Sequence, residues 1–444
     1  MEDVIFSEAL PMLLADATAR NAFHPDETIM TIFSPGSPHV NNSVTATAKV
    51  PEPARILHDD AEAIAVATAL AEEFAPGAAD RDRDRRLPFA ELDLFSQSGL
   101  WGMTVPRVYG GAEVSYVTVA KVFSIIASAD ASIAQIAQNH ISLLDIVRVD
   151  PDETRKGRYF QAALEGFRFG NALSEKGGKT IFDMQTRLLR QDGGFVVKGQ
   201  KFYCTGALFA HIVPVYAIDE AGKGNLFLVP RDAPGLTVID DWDGVGQRTT
   251  ASGTVIVDNV AVTESQIVPS YLAFERPTVH GPVAQIIQAA IDLGIAQRAI
   301  KETAAFIRTK ARPWVDSGRD HASEDVYSLE AIADLTIRLH AAEAVLEGGG
   351  ELIDAGLLDE TEETVANASI AVAEAKVLTT EISLLAGEKL FELGGSRSAL
   401  AAYNFSHLWR DARTHTLHDP VRWKYHAIGN FYLNGVKPPR HSWL

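Results

Sequence analysis

The spacing of apolar residues changes period twice along this chain, and that double switch limits the possible folds more than any motif does. From Ala54 onward apolar positions recur every three or four residues, as in Ala61–Phe74, Leu87–Gln97, Tyr116–Ala129 and Ser132–Val147. This is the pattern of helices that bury one face or more. Between Phe167 and Gln266 the period shortens. Phe169–Ala172, Thr186–Arg190, Gly194–Gly199, Val213–Ile218, Asn225–Val229, Thr237–Ile239 and Gly253–Val257 read as short strands parted by Gly, Pro and Asp turns. Helical spacing then returns in Val283–Ile307, Leu329–Ile353, Thr361–Leu393 and Phe405–Arg413. Gly348-Gly-Gly350 marks either a break in the second of these or a close helix approach.

The expected architecture is α+β and multidomain: a helical domain over 51–166, a middle β domain over 167–266 and a C-terminal four-helix bundle over 267–444. Residues 1–50 stand apart. A short amphipathic stretch, then Pro25, Pro35, Gly36, Pro38 and a Ser/Thr/Asn-rich run, predicts a flexible N-terminal extension.

A formal net charge of −18 argues against non-specific binding to nucleic acid or anionic membranes. The single cysteine, Cys204, allows neither an intramolecular disulfide nor a multi-cysteine metal site, which suits a reducing compartment. No apolar run has the length of a membrane span and no signal peptide is legible, so the expectation is a cytoplasmic protein with no metal. Phosphate-binding loops of the Walker kind, a dinucleotide fingerprint, His-Glu-x-x-His and a hydrolase elbow are all missing, which disfavours nucleotide hydrolysis, metallohydrolysis and ordinary nicotinamide binding.

The residues richest in chemistry lie in Arg410–Pro420. His415 and His418 are three apart, on one side of a helical turn, followed by Asp419 and the helix-opening Pro420. Two groups that titrate near neutrality beside a carboxylate suit proton handling, though a solvated helix end would look the same. In the apolar stretch Ser132–Val147, Gln135 and Asn139 share a face, with His140 beside them. Such polar groups either cap backbone or line a pocket. The loops Ser174-Glu-Lys-Gly-Gly178 and Lys201-Phe-Tyr-Cys-Thr-Gly206 could bring N–H groups to an anionic or heteroaromatic ligand, or merely turn hairpins.

In this order the segments resemble the acyl-CoA dehydrogenase-fold flavoproteins over residues 54–444. Leu173-Ser-Glu175 stands where that family has Val-Thr-Glu, and Gly199–Thr205 where it has Gly-x-Lys-x-Trp-Ile-Thr. Val245–Ser252 is similar to its Leu-Gly-x-Arg-x-Ser, and Phe391–Gly395 to its late Gly-Gly loop. Asp240-Asp-Trp242, Lys310-Ala-Arg-Pro-Trp314, Arg410–Pro420 and Asn434-Gly435 resemble the monooxygenase branch typified by dibenzothiophene monooxygenase, and more closely the sulfur-acquisition oxidoreductases.

That resemblance implies FMN, reduced by a separate flavin reductase, reacting with oxygen to a C4a-hydroperoxide that oxygenates a small organosulfur compound. It implies flavin contacts from Asn171, Ser174, Thr205 and Trp242, with the Thr205 hydroxyl at flavin N5. Arg312 and Arg397 would bind the phosphate, one of them from a neighbouring subunit of a homotetramer. His418 would handle the peroxide proton with His415 in support, and Gln135, Asn139, His140 and His280 would line the substrate pocket. Arg-Pro-Trp314 replaces the Phe-Gly adenine contact of the dehydrogenases, which favours FMN over FAD. Gln135 and Asn139 replace a histidine and a tyrosine of the dibenzothiophene enzyme, which points away from a bulky polycyclic sulfide. The competing readings are an FAD-dependent acyl-CoA dehydrogenase with Glu275 or Asp419 as base, and a flavin-binding subunit without turnover.

Overall fold

A computed structural model describes residues 51–191 and 193–444; the extension expected over residues 1–50 lies outside them. The described residues begin with six α-helices: α1 (Asp60–Phe74), α2 (Ala78–Asp84), α3 (Phe89–Gln97), α4 (Tyr116–Ala129), α5 (Ala131–Arg148) and α6 (Glu153–Leu164). Side-chain caps set several starts. Asp59 accepts from the Glu62 N–H, and Asp130 accepts from both Ser132 and Ile133 at the head of α5. Each such cap contributes about 1 kcal/mol.

A seven-stranded sheet follows: β1 (Arg187–Gln191), β2 (Gly194–Lys201), β3 (Ile212–Ile218), β4 (Gly224–Pro230), β5 (Leu236–Ile239), β6 (Thr254–Val262) and β7 (Ile267–Val268). Their order is β5-β6-β2-β1-β3-β4-β7. Every pairing is antiparallel except β1 with β3, whose parallel contact joins the two halves through Arg187 and Ile218. In β4 the alternation of side chains serves two cores. Phe227 and Val229 face the large core, whereas Leu226 and Leu228 join Tyr159, Phe160 and Leu164 of α6 in a smaller one. That double burial explains the unbroken apolar run Leu226–Val229. The segment Phe169–Ala172, expected as a strand, makes only isolated parallel bridges to Ile212 and Val215.

After the short α7 (Leu272–Glu275) come three long helices, α8 (His280–Thr309), α9 (Val326–Leu358) and α10 (Glu362–Gly394), then α11 (Ser406–His415) and α12 (Arg422–Asn434). The last of these has no counterpart among the helices read from the sequence. Within the bundle α8 packs on α10, α4 and α5, and α10 also packs on α9. Helix α9 runs unbroken through Gly348–Gly350. A Cβ on Gly350 would lie 2.8 Å from the Val117 backbone nitrogen, so of the two alternatives the close approach is the one realised. Among the described residues no helix is long and apolar enough to cross a membrane, and no cluster of His, Cys, Asp and Glu could hold a metal.

Candidate active site

Helix α11 buries His407, Leu408, Asp411, Ala412 and His415 at helical spacing, which aims His415 into the bundle. There its Nδ1 meets Asp292 Oδ1 of α8 at 2.5 Å. The other Asp292 oxygen accepts from Lys376 Nζ of α10 at 2.6 Å and from Thr380 Oγ1 at 3.1 Å. On its far side His415 Nε2 is 3.0 Å from Gln135 Oε1 of α5, and Gln135 Nε2 is 2.9 Å from His418 Nε2. His418 Nδ1 turns back to donate to the His415 carbonyl at 2.7 Å. Lys376, Asp292, His415, Gln135 and His418 thus form one continuous chain of contacts drawn from four helices and the turn after α11.

Burial works to raise the Asp292 pKa, but Lys376 and His415 together overcome it and bring it to about 2. Burial lowers His415, with Asp292 acting against it. His418 is lowered to about 4 by the surrounding chain and then by neighbouring His415. Its ring nevertheless opens to solvent. Solvent at the exposed residue weakens the desolvation part of that shift and leaves its direction, against charging His418, to neighbouring His415.

The β-domain rim lies against the same part of α5. Gly206, at φ +76°, lets the turn after Thr205 approach Ile136, the residue next to Gln135; a Cβ there would lie 3.3 Å from Ile136 Cγ2. Thr205 Oγ1 pairs with Ser252 Oγ at 2.7 Å, and Ser252 pairs with Thr250 at the same distance. Trp242 Nε1 donates to the Gln247 carbonyl at 3.0 Å, and its ring meets the exposed Tyr203 edge-on. Asn171 Oδ1 accepts from the Leu173 N–H, and the Ser174 carbonyl accepts from the Phe202 N–H. The loop holding Ser174 is locked by a pair whose role is not apparent from the residue pattern: buried Lys201 donates to the Leu173 carbonyl at 3.0 Å and to Glu175 at 2.7 Å. Burial raises Glu175, but Lys201 and Thr186 hold it down at about 2.

Two expected pocket residues are corrected by the structure. His140 lies inside the core, with Nε2 2.9 Å from the Trp101 carbonyl and Nδ1 accepting from the Phe169 N–H, so it ties the helical domain to the sheet. His280 is buried at the start of α8, about 18 Å along the helix from Asp292, its Nδ1 3.0 Å from Asp145 and its Nε2 3.4 Å from Ser442, so it anchors the C-terminal tail. Asn139 stands half-buried one turn along α5 from Gln135. Arg312 and Arg397 are both exposed at the far end of α8, where Arg397 donates to the Lys310 carbonyl. At 1.5 Å per helical residue that corner is about 25 Å from Asp292, too far to meet the histidines within one chain. A cavity of about 10 Å³ between Asp82, Asp130, His407 and Asp411 has room for a water but not for an organic substrate.

The carboxylates of the competing reading are both engaged. Asp419 is buried with an oxygen 2.7 Å from Lys424 Nζ, a close ion pair rather than an aligned hydrogen bond. Glu275 is an exposed residue paired with Lys223.

Residues 60–166, 170–260 and 286–423 match the N-terminal, middle and C-terminal domain families of acyl-CoA dehydrogenase. Dibenzothiophene monooxygenase of Rhodococcus erythropolis is 32% identical over 397 residues, covering 85% of this chain and 95% of that protein. A probable FMNH2-dependent monooxygenase, SfnC of Pseudomonas putida, is 30% identical over 385 residues, with coverages of 85% and 96%. The structure of methanesulfinate monooxygenase MsuC from Pseudomonas fluorescens superposes with a TM-score of 0.79 at 29% identity, covering 85% of this chain and 99% of that one. With its three domains matched in order and full-length relatives of this kind, the chain belongs to the acyl-CoA dehydrogenase family, in the branch of the flavin-dependent monooxygenases.

Proposed function

We propose that this chain is the oxygenase of a two-component system, using FMN reduced by a separate reductase to oxygenate a small, polar organosulfur compound. The FMNH2 dependence in the name of SfnC and methanesulfinate in that of MsuC support the cofactor and the substrate class. Half-buried Asn139 supports it too, since an amide there gives α5 a polar face where an aromatic ring would suit a polycyclic sulfide. The rim fits a flavin: Trp242 and Tyr203 offer aromatic faces, and Asn171, Ser174 and Thr205 offer amide and hydroxyl groups.

Reduced flavin, when bound, supplies the electrons that activate dioxygen. The chain's own part is to hold, orient and protonate. Ser252 orients the Thr205 hydroxyl. Asp292 fixes the His415 ring, His415 fixes the Gln135 amide, and the amide in turn holds His418, whose ring at the open end handles the proton. Exposed apolar faces on α9 (Tyr327, Leu329, Ile337) and α12 (Trp423, Tyr432, Leu433) support self-association. In a homotetramer Arg312 and Arg397 of one copy would reach the flavin phosphate of another.

The observation that carries this reading is the buried relay ending on a solvent-facing histidine, while both rival carboxylates are spent on lysines. The purified chain with FMN, a flavin reductase, NADH and a panel including methanesulfinate should yield products bearing one atom from ¹⁸O₂. Anaerobic bleaching of bound flavin by an acyl-CoA, with no labelled product, would assign it to the dehydrogenases instead.

A further inference from the structure

Four contacts define the hydrogen inventory of the two histidines. His415 Nδ1 faces Asp292 Oδ1 at 2.5 Å, and a carboxylate only accepts, so this nitrogen carries hydrogen. His418 Nδ1 faces the His415 carbonyl at 2.7 Å, also a pure acceptor, so it carries hydrogen as well. Gln135 lies between the two remaining ring nitrogens, 3.0 Å from one and 2.9 Å from the other. Its amide presents one acceptor and one donor. Whichever way the amide is turned, one Nε2 must donate to it and the other must accept from it. The four ring nitrogens therefore need three hydrogens, one more than two neutral imidazoles hold.

We propose that His415, Gln135 and His418 hold one resident proton at neutral pH, with the orientation of the Gln135 amide deciding which ring bears it. When Oε1 faces His415, the imidazolium is His415 beside Asp292; when Oε1 faces His418, it is the open His418. The two configurations differ by one proton moved from His415 Nε2 to His418 Nε2 and a half-turn of the amide, with total charge unchanged. Gln135 is thus a positioning residue that acts through the rings. The use made of this proton rests on the function proposed above; the proton count does not.

Burial opposes charge on either ring. Two neutral rings, however, would set lone pair against lone pair, or N–H against N–H, in at least one contact of 3.0 Å or less. The charged groups acting on the rings are Asp292 of α8, Lys376 of α10 and Asp419 of the turn, and Asp419 is itself paired with Lys424 of α12. Helix α5 contributes only the neutral Gln135 to them. The third ring hydrogen therefore does not add to a like-charged cluster. With Lys376 and Thr380 donating to it, Asp292 stays ionised and does not supply that hydrogen itself.

Neutron diffraction from deuterium-exchanged crystals near pD 7 counts these atoms directly. Three deuterons on the four ring nitrogens are expected. Two, or a third found on Asp292, overturn the proposal. Gln135→Leu removes the demand and should show two, whereas Gln135→Glu accepts at both ends and should show four. In a ¹⁵N-histidine titration the loss of the resident proton should move down by about one pH unit in Gln135→Leu and up by a similar amount in Gln135→Glu, the worth of one hydrogen bond to a charged group. Unchanged titration in both variants would assign Gln135 a packing role and overturn the inference. Three deuterons in a protein that oxygenates no organosulfur compound would uphold it while removing the proposed function.

Discussion

His418 ends the relay and His140 lies in the core, so two histidines of one chain give opposite tests. Replacing His418 by Ala should lower the rate of product formation by about 10²–10⁴-fold, the usual worth of a positioned acid or base, with little change in melting temperature. An unchanged turnover would remove its role. His140 has its pKa driven down to about 3 by burial. The folded state therefore keeps it neutral while the unfolded chain protonates it below about pH 6.5. Its contribution is full above that pH and falls away on acidification until the folded group also titrates. Chemical denaturation should show His140→Gln to be less stable, but with a slope between pH 6.5 and 5 shallower by about 1.4 kcal/mol per unit. Asp292 has the same sign in a lower window, from the ordinary carboxylate value down to about 2. Substituting Asn there strands Lys376 in the bundle, which should cost about 3–5 kcal/mol. The pairing of His415 with His418 is legible from their spacing. Asp292 and Lys376 are not, because each looks like a lone charge on an Ala- and Leu-rich helix. Only their opposite signs at buried helical positions hint at a pair, and nothing local says they meet.

Elements were easier to read than their contacts. The change of period separated helices from strands because alternation and three-to-four spacing are imposed by backbone geometry alone. Phe169–Ala172 misled because its apolar content comes from the two cores it crosses, not from a ladder. Gly348–Gly350 is ambiguous for a similar reason, since the close approach at Gly350 is to α4, far away in sequence. A side chain at position 350 must push that helix away. Gly350→Val should destabilise the chain by about 1–3 kcal/mol or more through overpacking, visible as a lower denaturation midpoint with unchanged slope. The sequence shows α5 as apolar with polar interruptions, and in the structure Gln135 joins two histidines instead of simply facing a pocket.

At the scale of the molecule, the order of helices, sheet and bundle followed from pattern, and the family from motifs in that order. The proposed subunit arrangement rests on a fainter signal, the exposed apolar residues of α9 and α12 and two arginines remote from the histidines. Light scattering should give four times the 48.1 kDa of the chain. Charges introduced on α12, such as Trp423→Glu, should yield smaller species with weakened FMN binding, while a tetramer that survives them would place the interface elsewhere. The contacts of Gln135 with His418 span 283 positions of sequence, and they close only when a helix from the first third of the chain meets a turn from its last thirty residues. A ribosome-bound intermediate has no means of rehearsing that junction. Until that junction closes, near the end of synthesis, a growing chain lacks the relay that the proposed oxygen chemistry needs.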